Sequence, residues 1–392
     1  ILKQWHIRPR LREHVASRND EPLFSDEEVA RLRDITGRWL GKHGGGQTQV
    51  DWSIPVHQPY ALRALQALSC TVRDRDKNLF PCLLAGVPTG CSEAIPPFSC
   101  FIPTPVDDGN DEDVWVLCDD NWKGAPDDPD TLESLVEEEL RQGWVEELPS
   151  LEVARERWHG RLAMLKLNII QADGRKARLI ADATASGTNA SCRVPERFSL
   201  PSLTDVRACN PPRENNLCQH GFVMDIRAAH KTIRVAEQDR GLLGFKIPRQ
   251  GSVFRYFLYR VCPFGAKFSS HWWARMAGFI VRMLRQVVRR EHALYMYVDD
   301  CFLEQDSVRL PMSAAMCLAF CAVFASQLSW KKLPLSGLVR WIGWDIHLAA
   351  GCFRLPDEKK EKLRGRLLDV LLHVVQINIP WKNWWASCSG FY

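Results

Sequence analysis

The stretch "HALYMYVDDCFLEQ", residues 292–305, restricts the fold more than any other part of the chain. An apolar, aromatic run reaches two adjacent aspartates, Asp299 and Asp300, and turns apolar again at once. Side chains alternate faces along a strand. Tyr295, Tyr297 and Asp299 therefore share one face, and Leu294, Met296 and Val298 share the other, which suits a core. The aspartates belong at the tip of a hairpin. Paired carboxylates resist burial unless something positive stands between them and a partner.

A second short apolar strand, "GFVMDI" (221–226), also ends on a carboxylate, Asp225. If the two strands are sheet neighbours, three carboxylates converge. Hard oxygen donors of this kind suit Mg²⁺, which commonly takes one or two protein carboxylates together with substrate phosphates and water. Two such ions can activate an attacking hydroxyl and stabilise a leaving oxygen in phosphoryl transfer.

The segments around this pair alternate between strand and helix patterns. "LAMLKLNII" (162–170) and "ARLIAD" (177–182) flank Asp173-Gly174 as a hairpin, and "GLLGFKI" pairs with "VFRYFLYRV" around residues 248–251. A long helix is expected from about Ser269 to Arg290, with Met276, Phe279, Ile280, Met283, Leu284, Val287 and Val288 on its core face. Arg275, Arg282 and Arg289 fall on the other side, a stripe read as a solvated face in preference to a template track. "LVRWIGWDIHLAA" reads as a tighter hairpin, and residues 357–375 as a charged helix. This order points to an α+β domain with an antiparallel sheet.

The N-terminal third is less regular. Ser25 and Glu28 make a capping box ahead of a helix stopped at Gly41. Residues 41–49 read as a linker, since they lack the end of a phosphate loop. Residues 81–130 look loop-dominated, and Asp130 with Glu133 caps a helix that carries Leu132, Leu135, Val136 and Leu140 on one face and stops at Gly143. The uncharged stretch 310–330 is broken by Pro311, Ser313, Ser326, Gln327 and Ser329, so it reads as a buried core helix, not a membrane span. Fourteen cysteines without a CxxC pair suit reduced thiols in an intracellular protein. The chain opens at Ile1 with no signal segment, the start expected of a fragment or a processed piece. Its net charge of +4 hides a split: sixteen acidic and two basic side chains lie between Asp107 and Glu147, which leaves the rest at about +18. A basic body suggests a polyanionic partner. The acidic stretch could then fold over a nucleic-acid cleft as a mimic of the substrate.

Over roughly residues 130–375 these motifs resemble, in order, the reverse transcriptase family of retrotransposons and retroviruses. "LVEEELRQGWVEE" is similar to the lead-in to the fingers, "DGRKARLIAD" to the fingers strand pair, and "FVMDIRAAH" to the first catalytic motif. "YRVCPFGAKFSS" resembles the Pro-x-Gly-type motif, "YVDD" the catalytic hairpin, "SWKKL" the lysine motif near the triphosphate, and "WIGW" the primer-grip hairpin.

The resemblance implies a right-hand polymerase. Fingers and an antiparallel-sheet palm would cover 130–350 and a partial thumb 351–392, after a mixed N-terminal region, 1–129. It implies RNA-directed DNA synthesis from deoxynucleotides on an RNA template with a DNA or RNA primer. Two Mg²⁺ ions would be held by Asp225, Asp299 and Asp300. Arg178 and Lys176 would bind the triphosphate, and Lys331, or its neighbour Lys332, would protonate the leaving pyrophosphate. Gly265, with Phe264, would lie against the base pair, and Trp341, Gly343 and Trp344 would grip the primer. His230 replaces the Tyr or Phe that the family keeps under the sugar. "DIRAAHK" also lacks the family's second acidic residue. The implied location is cytoplasmic or nuclear, without a membrane. An RNA-copying palm polymerase and a non-catalytic nucleic-acid-binding relic are the alternatives.

Overall fold

Four antiparallel strands form the central sheet, in the order Leu335–Ser336, Gln219–Asp225, Asp300–Asp306 and Ala293–Tyr297. The computed structural model describes residues 1–44, 49–98, 100–105, 115–171, 174, 176–208, 218–249, 253–289 and 291–377. The sheet is covered on both faces, which is why its strands read as nearly continuous apolar runs. Phe222, Met224, Leu294, Met296, Cys301 and Leu303 face the larger core. Val223, Ala293, Tyr295 and Phe302 face a smaller one, closed by Val339, Trp341, Ile346 and Leu348. The alternation expected for residues 294–298 is present, but Tyr295 is buried too, because the hairpin Leu338–Trp341/Trp344–His347 covers its face. A third strand, Cys352–Arg354, extends that hairpin, and the helix Asp357–Ile377 follows.

The long helix spans Lys267–Val287 and buries the expected stripe, with Val287 half-buried at its end. Two of the three stripe arginines are not solvated, while Arg289 lies exposed beyond the helix end. Arg275 is fully buried and forks onto Asp76 at 2.6 and 2.8 Å, with the Pro96 carbonyl oxygen accepting at 2.7 Å. Arg282 forks onto Asp74 at 2.7 and 2.8 Å. The N-terminal chain lies over this side of the helix, and its two aspartates supply the counter-charges.

The helix Leu310–Val323 is apolar all round because it is buried all round. The helices Ile7–Ser17 and Asp26–His43 pack on one side of it and the central sheet on another. Among the described residues no helix is long and apolar enough to cross a membrane. No two described cysteines are bonded to each other. One continuous core joins Ile7, Leu11, Phe24 and Leu32 to the central-sheet residues Phe222, Met224 and Leu303.

Several boundaries differ from expectation for local reasons. Ser25 and Glu28 do form the capping box. The helix then runs through Gly41 to His43, since one internal glycine weakens a helix by only ~1 kcal/mol. The helix that carries Leu132 and Val136 starts at Pro129 with Asp128 as its cap, earlier than the expected Asp130 cap, because proline suits the first helical position. The expected hairpin pairs Lys166–Ile170 with Arg178–Asp182. Residues 163–165 stay out of it because their amides bond to Gly241, Val116 and Gly244 instead.

The described part of the acidic stretch is built into the fold beside the strand pair Lys166–Ile170 and Arg178–Asp182. Residues 107–113 lie outside the described residues. Beyond them, Val116 bonds to Ser186 and Met164, Cys118 to Met164, and Trp122 to Leu167, all through the backbone. Glu133, Glu137 and Glu147 surround Arg255, Glu146 pairs with Arg157 and Arg260, and Glu139 pairs with Lys231. These carboxylates neutralise the body's own cations, so they are not a detached mimic of a polyanion. The linker's core, 45–48, and the final segment, 378–392, also lie outside the described residues.

Candidate active site

The register of the central sheet sets Asp225 directly opposite Asp300, and Asp300 opposite Tyr297. Asp299 stands in the turn between the two strands. Val298, just before it, has φ +53°, a left-handed conformation that a β-branched residue rarely takes. Three consecutive turn carbonyls each accept a hydrogen bond. Trp273 Nε1 donates to Val298 O at 2.8 Å, the Ile226 amide to Asp299 O at 2.9 Å, and Trp341 Nε1 to Asp300 O at 3.2 Å.

The carboxyls are half-buried and repel one another. Burial, reinforced by the charges of Asp299 and Asp225, pushes Asp300 up to about 6. Burial and Asp225 also raise Asp299, against the opposing pull of Arg178 and Lys332. Lys332 Nζ donates to Asp225 Oδ2 at 3.1 Å. Its neighbour Lys331 points elsewhere and donates to Asp20 at 3.0 Å, with both side chains exposed. Of the two lysines, the fold brings Lys332 to the aspartates and not Lys331. The cause is local: the Ser329 amide binds Asp225 O and the Lys332 amide binds Ser329 O, a turn that aims Lys332 inward.

Arg178 lies exposed on the fingers hairpin, close enough for its charge to act on Asp299. Lys176 is exposed just before that strand. His230 is 8 % exposed, with its ring centroid 4.9 Å from that of Phe264. Burial lowers the imidazole to about 4, so it is neutral near pH 7. A cavity of about 870 Å³ opens beside the turn, lined by His230, Phe264, Trp273, Tyr295, Met296 and Val298 among others.

Two residues expected at the nucleic acid also make close contacts within the fold. Gly265 has φ +105°, and a Cβ there would strike the Ala181 carbonyl oxygen, so the glycine permits contact with the strand Arg178–Asp182. Trp341 is 1 % exposed and directs its indole N–H to Asp300. Trp344 is half-buried, and Gly343, at φ +80°, accepts a hydrogen bond from Lys359 at 2.9 Å. Trp273 is the contributor the sequence reasoning passed over. It lies three residues before Met276, so helical spacing already placed it on the core stripe.

Among the described residues no three His, Cys, Asp or Glu side chains form a metal cage by themselves. Residues 177–346 match the family model described as reverse transcriptase (RNA-dependent DNA polymerase). Over that span the chain is similar to reverse transcriptases. The matched span contains Arg178, Asp225, His230, Phe264, Gly265, Asp299, Asp300, both lysines and the Trp341–Trp344 turn, while Lys176 falls just before it.

No curated protein matches the sequence. Among solved structures, a foamy viral protease-reverse transcriptase (dRH) in complex with double-stranded DNA aligns at 13 % identity and a TM-score of 0.48 over 81 % of this chain and 52 % of that one. Another, of the foamy viral protease-reverse transcriptase with double-stranded DNA, aligns at 14 % identity and 0.47 over 95 % and 62 %. A third, with an RNA/DNA hybrid, aligns at 15 % and 0.47 over 67 % and 31 %. The chain spans about half the length of the first of these proteins.

Proposed function

We propose that the reverse transcriptase domain performs RNA-directed DNA synthesis for a retroelement. The observation that carries this reading is the register of Asp225 against Asp300, with Asp299 in the adjoining turn beside an open cavity. The donor set suits Mg²⁺: three neighbouring carboxylates offer hard oxygens, and burial together with their mutual repulsion raises Asp299 and Asp300, a cost that cations would relieve. Their number also suits ions whose remaining ligands are substrate phosphates and water. When bound, two Mg²⁺ ions would supply charge for the attacking and leaving oxygens of the phosphoryl transfer.

The chain's own residues orient the reactants. The primer 3′-hydroxyl oxygen forms its bond to the α-phosphorus, and the bond to pyrophosphate breaks. Arg178, and Lys176 near it, offer charge-assisted hydrogen bonds to the outer phosphates. Lys332 is the ammonium placed to leave Asp225 for the departing pyrophosphate and give it a proton. The neutral His230, packed on Phe264, forms the wall under the sugar, and template and primer are held mainly through their phosphates. We place this work in the cytoplasm or nucleus.

A second reading has one observation in its favour. Lys332 already neutralises Asp225, as in a nucleic-acid-binding protein that has given up catalysis. Primer extension on an RNA template with Mg²⁺ and deoxynucleotides separates the two. We expect extension by the wild type and none by Asp299→Ala or in the presence of a chelator. A folded wild type that binds the duplex and extends nothing supports the second reading. Ribonucleotide incorporation in the same assay tests the smaller His230.

A further inference from the structure

We infer that Trp273 is a positioning residue: its indole holds the catalytic turn in a backbone conformation that the turn's own sequence disfavours. Val298 carries two γ-methyl groups on Cβ and sits at φ +53°, where L side chains crowd the backbone. Nothing in "YVDD" relieves that crowding, since neither central residue is glycine or asparagine. Strained residues persist only where the surroundings over-determine them.

The surroundings are three donors from three different elements. Trp273 projects from the long helix, Ile226 follows the neighbouring strand, and Trp341 comes from the second hairpin. They bind the carbonyls of residues 298, 299 and 300 in succession. Both indoles are nearly inaccessible, at 2 % and 1 % exposure, so the packing of the core holds the two donors in place. Fixing those carbonyls fixes the peptide planes on either side of Asp299, and with them the direction of its side chain. Trp273 holds the strained residue itself, so the burden of keeping φ positive falls on it most directly. It also lines the cavity beside the turn, which ties the clamp to the place where substrate enters. The kinetic arm of the test rests on the polymerase reading.

Trp273→Phe keeps the ring and deletes the donor. We expect kcat of primer extension to fall about tenfold or more, as misplacement of a reacting group does, with KM for the deoxynucleotide nearly unchanged. The rise in melting temperature that MgCl₂ gives the wild type should shrink as well. Adding Val298→Gly in the same chain lets the turn adopt its φ without a Cβ and should recover both losses. Trp341→Phe provides a second donor deletion, with a smaller loss in the same direction, if Trp273→Phe does not fold. Wild-type kcat and Mg²⁺ response in Trp273→Phe would overturn the clamp, and so would a loss that Val298→Gly leaves untouched. If the wild type extends no primer, the polymerase reading fails, and melting in EDTA judges the clamp alone. Trp273→Phe should then destabilise the wild-type chain more than a chain carrying Val298→Gly, and equal destabilisation in both refutes it.

Discussion

At the scale of single residues, Asp299 and Asp300 are held at a cost in stability. Asp300 is raised from 3.8 to about 6, so the folded chain holds its proton more tightly than the unfolded one does. The penalty of ionising it is absent below about pH 4 and complete above about pH 6. In EDTA at pH 7.5, Asp300→Asn should therefore be more stable than the wild type, on the order of 2 kcal/mol. The gain should vanish as the pH falls through that window, and denaturant melts at pH 4 and 7.5 measure it. The lysines make a second contrast. Lys332→Ala should lower kcat by about 10²-fold, the low end for a lost general acid. Lys331→Ala, which breaks only an exposed pair with Asp20, should stay near wild-type rate in the same assay.

At the scale of elements, the long helix is fastened to the N-terminal chain by charge as well as by apolar packing. Arg275 and Asp76 are both buried, so removing one partner strands the other charge. Asp76→Ala should destabilise by about 3–5 kcal/mol, and the double replacement Asp76→Leu with Arg275→Met by much less. Equilibrium denaturation of the wild type and the two variants decides it. This clasp was illegible in the sequence. Arginines at seven-residue steps look alike whether water or a distant aspartate meets them, and Asp76 lies 199 residues away. The hairpin of Asp299, the core stripe of the long helix and the Ser25 capping box were legible, because each is set by side-chain periodicity or by neighbours within four residues.

At the scale of the whole molecule, the N-terminal helices complete the core on one side of the central sheet. Ile7, Leu11, Leu23, Phe24, Leu32 and Leu40 are all nearly inaccessible. At about 1.5–3 kcal/mol for each large apolar side chain buried, they contribute roughly 10 kcal/mol, comparable to the whole stability of a typical domain. A chain lacking residues 1–44 should expose the helix Leu310–Val323, bind a hydrophobic dye and lose its cooperative melt. A truncated chain that melts sharply, near the wild-type temperature, would show the palm to be independent.

The sequence by itself determined the strands, their two faces and the carboxylate at the end of each, since period and residue type act over a few positions. Tertiary structure decided which cation meets which anion. It turned Lys332 rather than Lys331 to Asp225, sent Arg275 to Asp76, set Gly265 against Ala181, and brought two indoles to the turn that carries Asp299. Those pairings depend on chain segments that meet only after folding, and partner choice at such distances leaves no local pattern to read.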